Sequence, residues 1–222
     1  VGVEVRVAAL IDLRLSLEGL VATLALERAT RDIAKVTGDD RAPLVGDLAA
    51  ALAAIGRSDR ALELVATLPP GEEHDRALAR TAVALAQSGD HQGGLDLLAL
   101  VDDEDERAWA YDEFARLLAA AGRWGEAAAL CERIGSDDQR ARAEADLAIE
   151  RARSGEPEAA LGLALRIAHP AERARALTLV APHLVAAGAV EQAIAVASRP
   201  DALAGAEARG RYLATVGAAL AE

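Results

Sequence analysis

Five glycines stand at one spacing. Gly56, Gly89, Gly122, Gly155 and Gly188 follow one another in steps of 33 residues, and the next step lands on Ala221. A fixed period of that length marks a chain built from repeated supersecondary units, and it restricts the fold before any helix or strand is assigned. Aligned on these glycines without gaps, the chain falls into columns. Seven residues before each stands Ala49, Ala82, Ala115, Ala148 and Ala181, with Ala214 in a partial sixth unit. Ala makes up 56 of the 222 residues, so six in one column arise by chance roughly once in four thousand, and the period is real. One residue earlier stand Leu48, Thr81, Phe114, Leu147, Val180 and Leu213. Four before the glycine are Leu52, Leu85, Leu118, Arg151, Leu184 and Gly217. Five after it come Ala61, Gly94, Ala127, Ala160 and Ala193, and eight after it Leu64, Leu97, Leu130, Leu163 and Val196. Twelve after it stand Leu68, Val101, Ile134, Ile167 and Pro200.

The columns read as two helices per unit. Apolar or small residues eight, seven and four before the glycine share one face of a helix that the glycine stops. Those five, eight, nine and twelve after it share one face of a second helix. Each pair is then followed by a polar turn: TGDD, PPGEEHD, DDEDE, GSDDQ and AHPAE. Acidic residues there suit the start of the next helix, where side-chain caps and the helix dipole favour them. Aromatics are only 2% of the chain, which is poor material for a sandwich or barrel core. The expected fold is all-α: a right-handed α-solenoid of antiparallel helix pairs, with about eleven to thirteen helices and no sheet in residues 39–222. Residues 1–38 fit the alignment poorly and read as an N-terminal cap or preceding segment. Val1, Val3, Val5 and Val7 alternate as in a strand, yet Leu10, Leu13, Leu17, Leu20 and Leu24 form a helical stripe, and a helix from about residue 8 is the favoured reading.

One unit carries more than periodicity. It runs Tyr111-Asp-Glu-Phe114-Ala115-Arg-Leu-Leu118-Ala-Ala-Ala-Gly122-Arg-Trp124-Gly-Glu-Ala127. This resembles the tetratricopeptide repeat (TPR) family, with its large aromatic, small residue, and Gly-x-aromatic-x-x-Ala. The resemblance covers residues 39–222 as five to six degenerate units. Four units depart from it two residues after the glycine, where Ser58, His91, Pro157 and Val190 stand, and the family's late proline is replaced by Glu73, Glu106, Gln139, Glu172 and Gly205. Ankyrin repeats share the 33-residue period, but their Thr-Pro-Leu-His signature is missing. The TPR resemblance implies that the first helices line a concave, ligand-binding groove.

Composition excludes several functions. The net charge of −12 argues against a nucleic-acid backbone binder, which needs a positive face. No apolar run is long enough to span a membrane, and the charged N-terminus lacks a signal-peptide layout. Cys131, the only cysteine, allows no internal disulfide, which fits a reducing, cytoplasmic setting. Of the 24 basic residues only Lys35 is lysine, a bias that, with the alanine, suggests a high-GC bacterial genome. No motif of an enzyme appears, and no metal site or cofactor is expected. His74, His91, His169 and His183 are scattered and read as surface residues, while Asp102–Glu106 reads as a solvated capping turn without the spacing of a calcium loop. Cys131 falls on the buried face of its helix.

The candidate binding residues are those of the face opposite the packing stripe. Thirteen before the glycine stand Arg76, Trp109, Arg142 and Arg175; ten before it Asp112, and Arg211 in the sixth unit; six before it Arg116; two before it Arg153. Trp109 lies off the apolar stripe and would serve as an exposed anchor. Planar guanidinium forks suit carboxylates, so the expected partner is a protein or peptide, acidic in character. The same arginines could instead pair with the acidic turns and tie units together. In the fourth unit Glu144 and Arg151 interrupt the apolar stripe seven residues apart, either paired or on a helix rotated to pack Ala141, Ala145, Ile149 and Ala152. The expected function is therefore a non-enzymatic protein- or peptide-binding scaffold. The alternative is a sensor or oligomerisation segment of a larger signalling NTPase or transcription regulator. Self-association stays open.

Overall fold

In a computed structural model of the chain, residues 20–221 are described, with side chains from residue 24 onward. These residues form twelve α-helices and no strand. They are α1 (Leu20–Ile33), α2 (Arg41–Ala54), α3 (Ser58–Val65), α4 (Glu72–Gln87), α5 (His91–Leu98), α6 (Glu104–Ala120), α7 (Trp124–Cys131), α8 (Asp137–Arg153), α9 (Pro157–Ala164), α10 (Pro170–Ala186), α11 (Val190–Ser198) and α12 (Gly205–Ala221). Long and short helices alternate from α2 onward, as the columns require. The expected strand or helix over residues 1–19 lies outside the described residues.

The periodic glycines end the long helices. Their φ values are 76°, 98°, 73°, 93° and 81° in chain order, all in the left-handed region. The residue after each donates its N–H to the carbonyl five positions back: Arg57 to Leu52, Asp90 to Leu85, Arg123 to Leu118, Glu156 to Arg151 and Ala189 to Leu184. Each glycine N–H bonds the carbonyl three back, so two orphan helix carbonyls are satisfied at every stop. A Cβ on any of the five would meet no atom within 4 Å. Backbone conformation rather than crowding therefore selects glycine there.

The chain divides into two compact units, Val1–Glu113 and Phe114–Glu222, and the division falls inside α6. In the first, α2 packs on α1, α3 and α4, while α4 packs on α3 and α5. In the second, α8 packs on α7, α9 and α10, and α10 packs on α9, α11 and α12. Contacts thus run between neighbours in sequence, as in helix-pair repeats. Helix α1 belongs to the same scheme. Its buried Ala29 and Ile33, with Val36 just beyond it, repeat as Ala61, Val65 and Leu68 after 32 residues, one short of the period, which is why a gapless alignment passes over it.

Alanine makes the close packing. The column seven before the glycine is buried from Ala49 to Ala181, and the column five after it, including Gly94, is buried throughout. In the core cluster that runs from Ala141 to Val216 in the second unit thirteen of twenty-one residues are Ala, so it is built from near approach of backbones more than from large side chains. Helix α10 runs unbroken through Pro182.

The 33-residue register fails at the last helix. Pro200, expected in an apolar column, is exposed, and Ala202 and Leu203 are buried in its place. Helix α12 then begins two residues later than the period places it and buries Ala208, Tyr212 and Val216. Leu213 and Ala214, expected to be buried, face outward, Leu213 at 45% exposure. Tyr212 anchors the shifted helix by donating its hydroxyl to the Ala193 carbonyl at 2.7 Å. Burial pushes its pKa up to about 12, so it stays a donor.

The fourth unit keeps Leu147 and Ala148 buried as the other units keep their counterparts, so its helix is not turned away from the repeat columns, and Arg151 is accommodated by new partners. Helix α8 buries Ala141, Ala145, Leu147, Ala148, Ile149 and Ala152. Arg151 does not pair with Glu144. It lies over the Trp124 ring, 5.5 Å from the centroid, and bonds one oxygen of Glu156 at 2.9 Å. The other Glu156 oxygen accepts from Trp124 Nε1 at 3.0 Å. The Arg151 hydrogen bond, aided by that of Trp124, holds the Glu156 carboxyl below its usual range against the opposing effect of desolvation.

Candidate functional site

Two of the candidate residues are committed to holding helices together. Arg76 on α4 reaches Glu106 on α6 at 2.8 Å and its own helix's Glu73 and Glu72 at 2.7 and 2.6 Å. The Glu106 hydrogen bond and charge, then Glu73, raise its pKa above the ordinary value. Arg175 on α10 gives Nε to Glu172 at 2.6 Å and Nη2 to Asp146 of α8 at 2.8 Å. Burial opposes its charge, but those hydrogen bonds outweigh burial and its pKa lies above the ordinary value. Arg80, not singled out in the sequence, makes the equivalent tie from α4 to Asp47 of α2 at 2.5 Å.

The remaining candidates are distributed differently. Trp109 is 41% exposed on α6, as expected of an anchor. Asp112 is half-buried, while Arg116, Arg142 and Arg153 are exposed. Arg153 sits 3.6 Å from Glu150, and the Arg142 guanidinium has no ion-pair partner among the described residues. Arg211 is exposed on α12, 3.3 Å from Glu207.

Of the candidates, Arg175 and Arg211 line a common cavity. It is a groove of about 730 Å³ between α10 and α12, wholly within the second unit. Ala174, Leu179 and Ala208 give it an apolar floor, and Thr178 and His169 add polar edges. No carboxylate lines it. Leu179 is 44% exposed there.

Sequence reasoning missed a column of clamps. Arg107, Arg140 and Arg173 stand 33 residues apart, and each sends Nη1 to the carbonyl six residues earlier, on Val101, Ile134 and Ile167. Those carbonyls lie just beyond the end of the preceding short helix, where a cation is favoured. Arg41 occupies the same column in the first pair and bonds Thr67 at 2.9 Å. In the second pair His74 replaces the arginine, and the brace is supplied by its neighbour: Asp75, 8% exposed, accepts the N–H groups of Asp102 and Asp103 at 3.2 and 2.8 Å. The 33-residue spacing of these arginines is visible in the sequence, but it lies outside the face opposite the packing stripe.

The acidic turns work as caps. Asp103 accepts from the N–H groups of Asp105 and Glu106 at the start of α6, and Ser136 accepts from Gln139 at the start of α8. Among the described residues no group of three or more His, Cys, Asp or Glu side chains could hold a metal ion. No described helix is long and apolar enough to cross a membrane. Cys131 is fully buried. A smaller pocket of about 200 Å³ is lined by Ala128, Glu132, Glu144, Leu147, Leu163 and Arg166. Desolvation raises the Glu144 pKa, opposed by the charge of Arg140 and reinforced by that of Glu132.

No family model and no curated protein matches the chain. Among solved structures, the crystal structure of Ton1535 from Thermococcus onnurineus NA1 is similar at 16% identity and a TM-score of 0.34, over 97% of this chain and 79% of that one.

Proposed function

We propose that this chain is a non-enzymatic scaffold that binds a protein or peptide along the long helices of a right-handed, TPR-like α-solenoid. The observation that carries the proposal is the groove between α10 and α12, with an exposed leucine on its floor and two of the candidate arginines on its walls. Neighbour-to-neighbour packing of helix pairs supports the solenoid, since each pair leaves a face for the next. A peptide library displayed against the intact chain tests it. Enriched peptides should lose binding to Leu179→Asp and keep binding to Leu100→Asp, an exposed leucine outside the groove. Peptides that bind both variants equally would place recognition elsewhere.

A second reading, an oligomerisation segment of a larger signalling protein, is favoured by α12. Its outward face carries Leu213 and Leu220 at 45% and 50% exposure, with Ala214 and Gly217 between them and Gly210 one turn before. Helices pack closely on such small-residue faces. On this reading the chain sediments as a dimer or larger species, and Leu213→Glu returns it to a monomer.

A further inference from the structure

The smaller cavity of the second unit shares no residue with the groove between α10 and α12. Ala128 on α7, Leu147 on α8 and Leu163 on α9 line it with hydrocarbon. Glu132, just past α7, Glu144 on α8 and Arg166, just past α9, bring three charges to the same space. None of these three side chains makes a hydrogen bond or a direct ion pair among the described residues. The groove differs in this respect, since Arg175 and Arg211 already hold carboxylates there. Glu144 is half-buried, and a carboxylate taken partly out of water with no donor in its place costs stability. Desolvation raises its pKa accordingly. Arg140 and Arg166 act on it through their charge, but Arg140 has given its guanidinium to the Ile134 carbonyl and to Asp137. A carboxylate so placed beside a cavity calls for a donor from outside the chain.

The pattern of charge selects that donor. Two carboxylates and one guanidinium around one space complement a cation and an anion carried by the same molecule. A metal ion would find only two carboxylates, beside a repelling arginine. A simple amine would leave Arg166 without a partner. The cavity of about 200 Å³ holds roughly seven waters' worth of liquid, which is below the range of drug-sized sites. Its two leucines offer an aliphatic side chain a surface out of water. We propose that this cavity binds a free α-amino acid with an aliphatic side chain. The ammonium donates to Glu132 and Glu144, the carboxylate accepts from Arg166, and the side chain lies on Leu147 and Leu163. This site does not depend on the groove-binding function above.

Isothermal titration calorimetry of the full chain with L-leucine tests the assignment. Saturable binding is expected, with a Kd of about 1 mM or tighter. 4-Methylpentanoate, which lacks the ammonium, should not bind. Leucinamide keeps the ammonium and presents an amide, as a peptide N-terminus does, and should bind at least about tenfold more weakly. Glycine, without the side chain, should be weaker than leucine by a similar factor. Glu144→Gln relieves a buried charge and should fold at least as stably as the parent, so its loss of leucine binding reports the carboxylate. Glu132→Gln, at an exposed position, should weaken leucine by at least about tenfold. Arg166→Gln, also exposed, should bring leucine down to the affinity of leucinamide and leave leucinamide unchanged. Leu179→Asp, in the groove, should bind leucine as the parent does. Absence of saturable leucine binding overturns the proposal. So does a Glu144→Gln chain that binds leucine as the parent does, and so does loss of leucine binding in Leu179→Asp, which would move the site to the groove. Leucinamide bound as tightly as leucine, or an Arg166→Gln chain that still prefers leucine, overturns the assignment of an amino acid in favour of a site for amines. The peptide selection against Leu179→Asp decides the groove function separately.

Discussion

Glu144 shows what one charged side chain costs inside an alanine-rich array. It is half-buried beside Leu147 and Leu163, and desolvation raises its pKa. The folded state therefore holds the proton more tightly than the unfolded chain does. Its contribution to stability is present in full below the ordinary carboxylate range and is lost as the pH climbs through the raised folded value. Glu144→Gln keeps the shape and removes the charge, so it should be more stable than the parent at pH 7, with the difference shrinking towards pH 4. Urea midpoints for both proteins across that range check this, and a parallel offset at every pH would show that ionisation is not the cause. Arg151, the other interruption of the same stripe, has found partners in Trp124 and Glu156 and needs no such relief.

For the elements, the columns located what they could measure. Glycine stops, buried alanines and the alternation of long and short helices were legible because each depends on residues at fixed separations along one chain. Replacing Ala148, fully buried on α8, by Phe should overpack the contact of α8 with its neighbours and cost roughly 1–3 kcal/mol, read as a lowered melting midpoint. An unchanged midpoint would mean the alanine column does not set the distance between helices. What escaped the sequence is also physical. A gapless register assumes that buried positions recur at one separation, and from α10 to α12 that separation is 32 rather than 33, Val180 to Tyr212 and Leu184 to Val216, so Tyr212 rather than Leu213 faces inward. The partners of arginine depend on which acidic residues come within reach. The spacing of Arg76 and Arg175 therefore placed them on a common face without revealing that Glu106 and Asp146 already hold them. Of the candidate site, two residues were placed together: Arg175 and Arg211.

Taken over the whole molecule, the ties share one property. Arg76 to Glu106, Arg80 to Asp47, Arg175 to Asp146 and Asp75 to Asp102 and Asp103 all join residues some thirty positions apart, and the clamps of Arg107, Arg140 and Arg173 reach back six. Stability of that kind is a sum of local and nearest-neighbour terms. Loops that close over such short separations form early and cheaply, so folding is expected to be fast for a chain of this length. The same feature governs how the molecule answers a load. Among the described residues a tether meets no strand pairing that must shear all at once, only a series of similar short closures. It should pay out one helix pair at a time at low force and rewind as the force drops, behaving as a soft spring rather than as a latch.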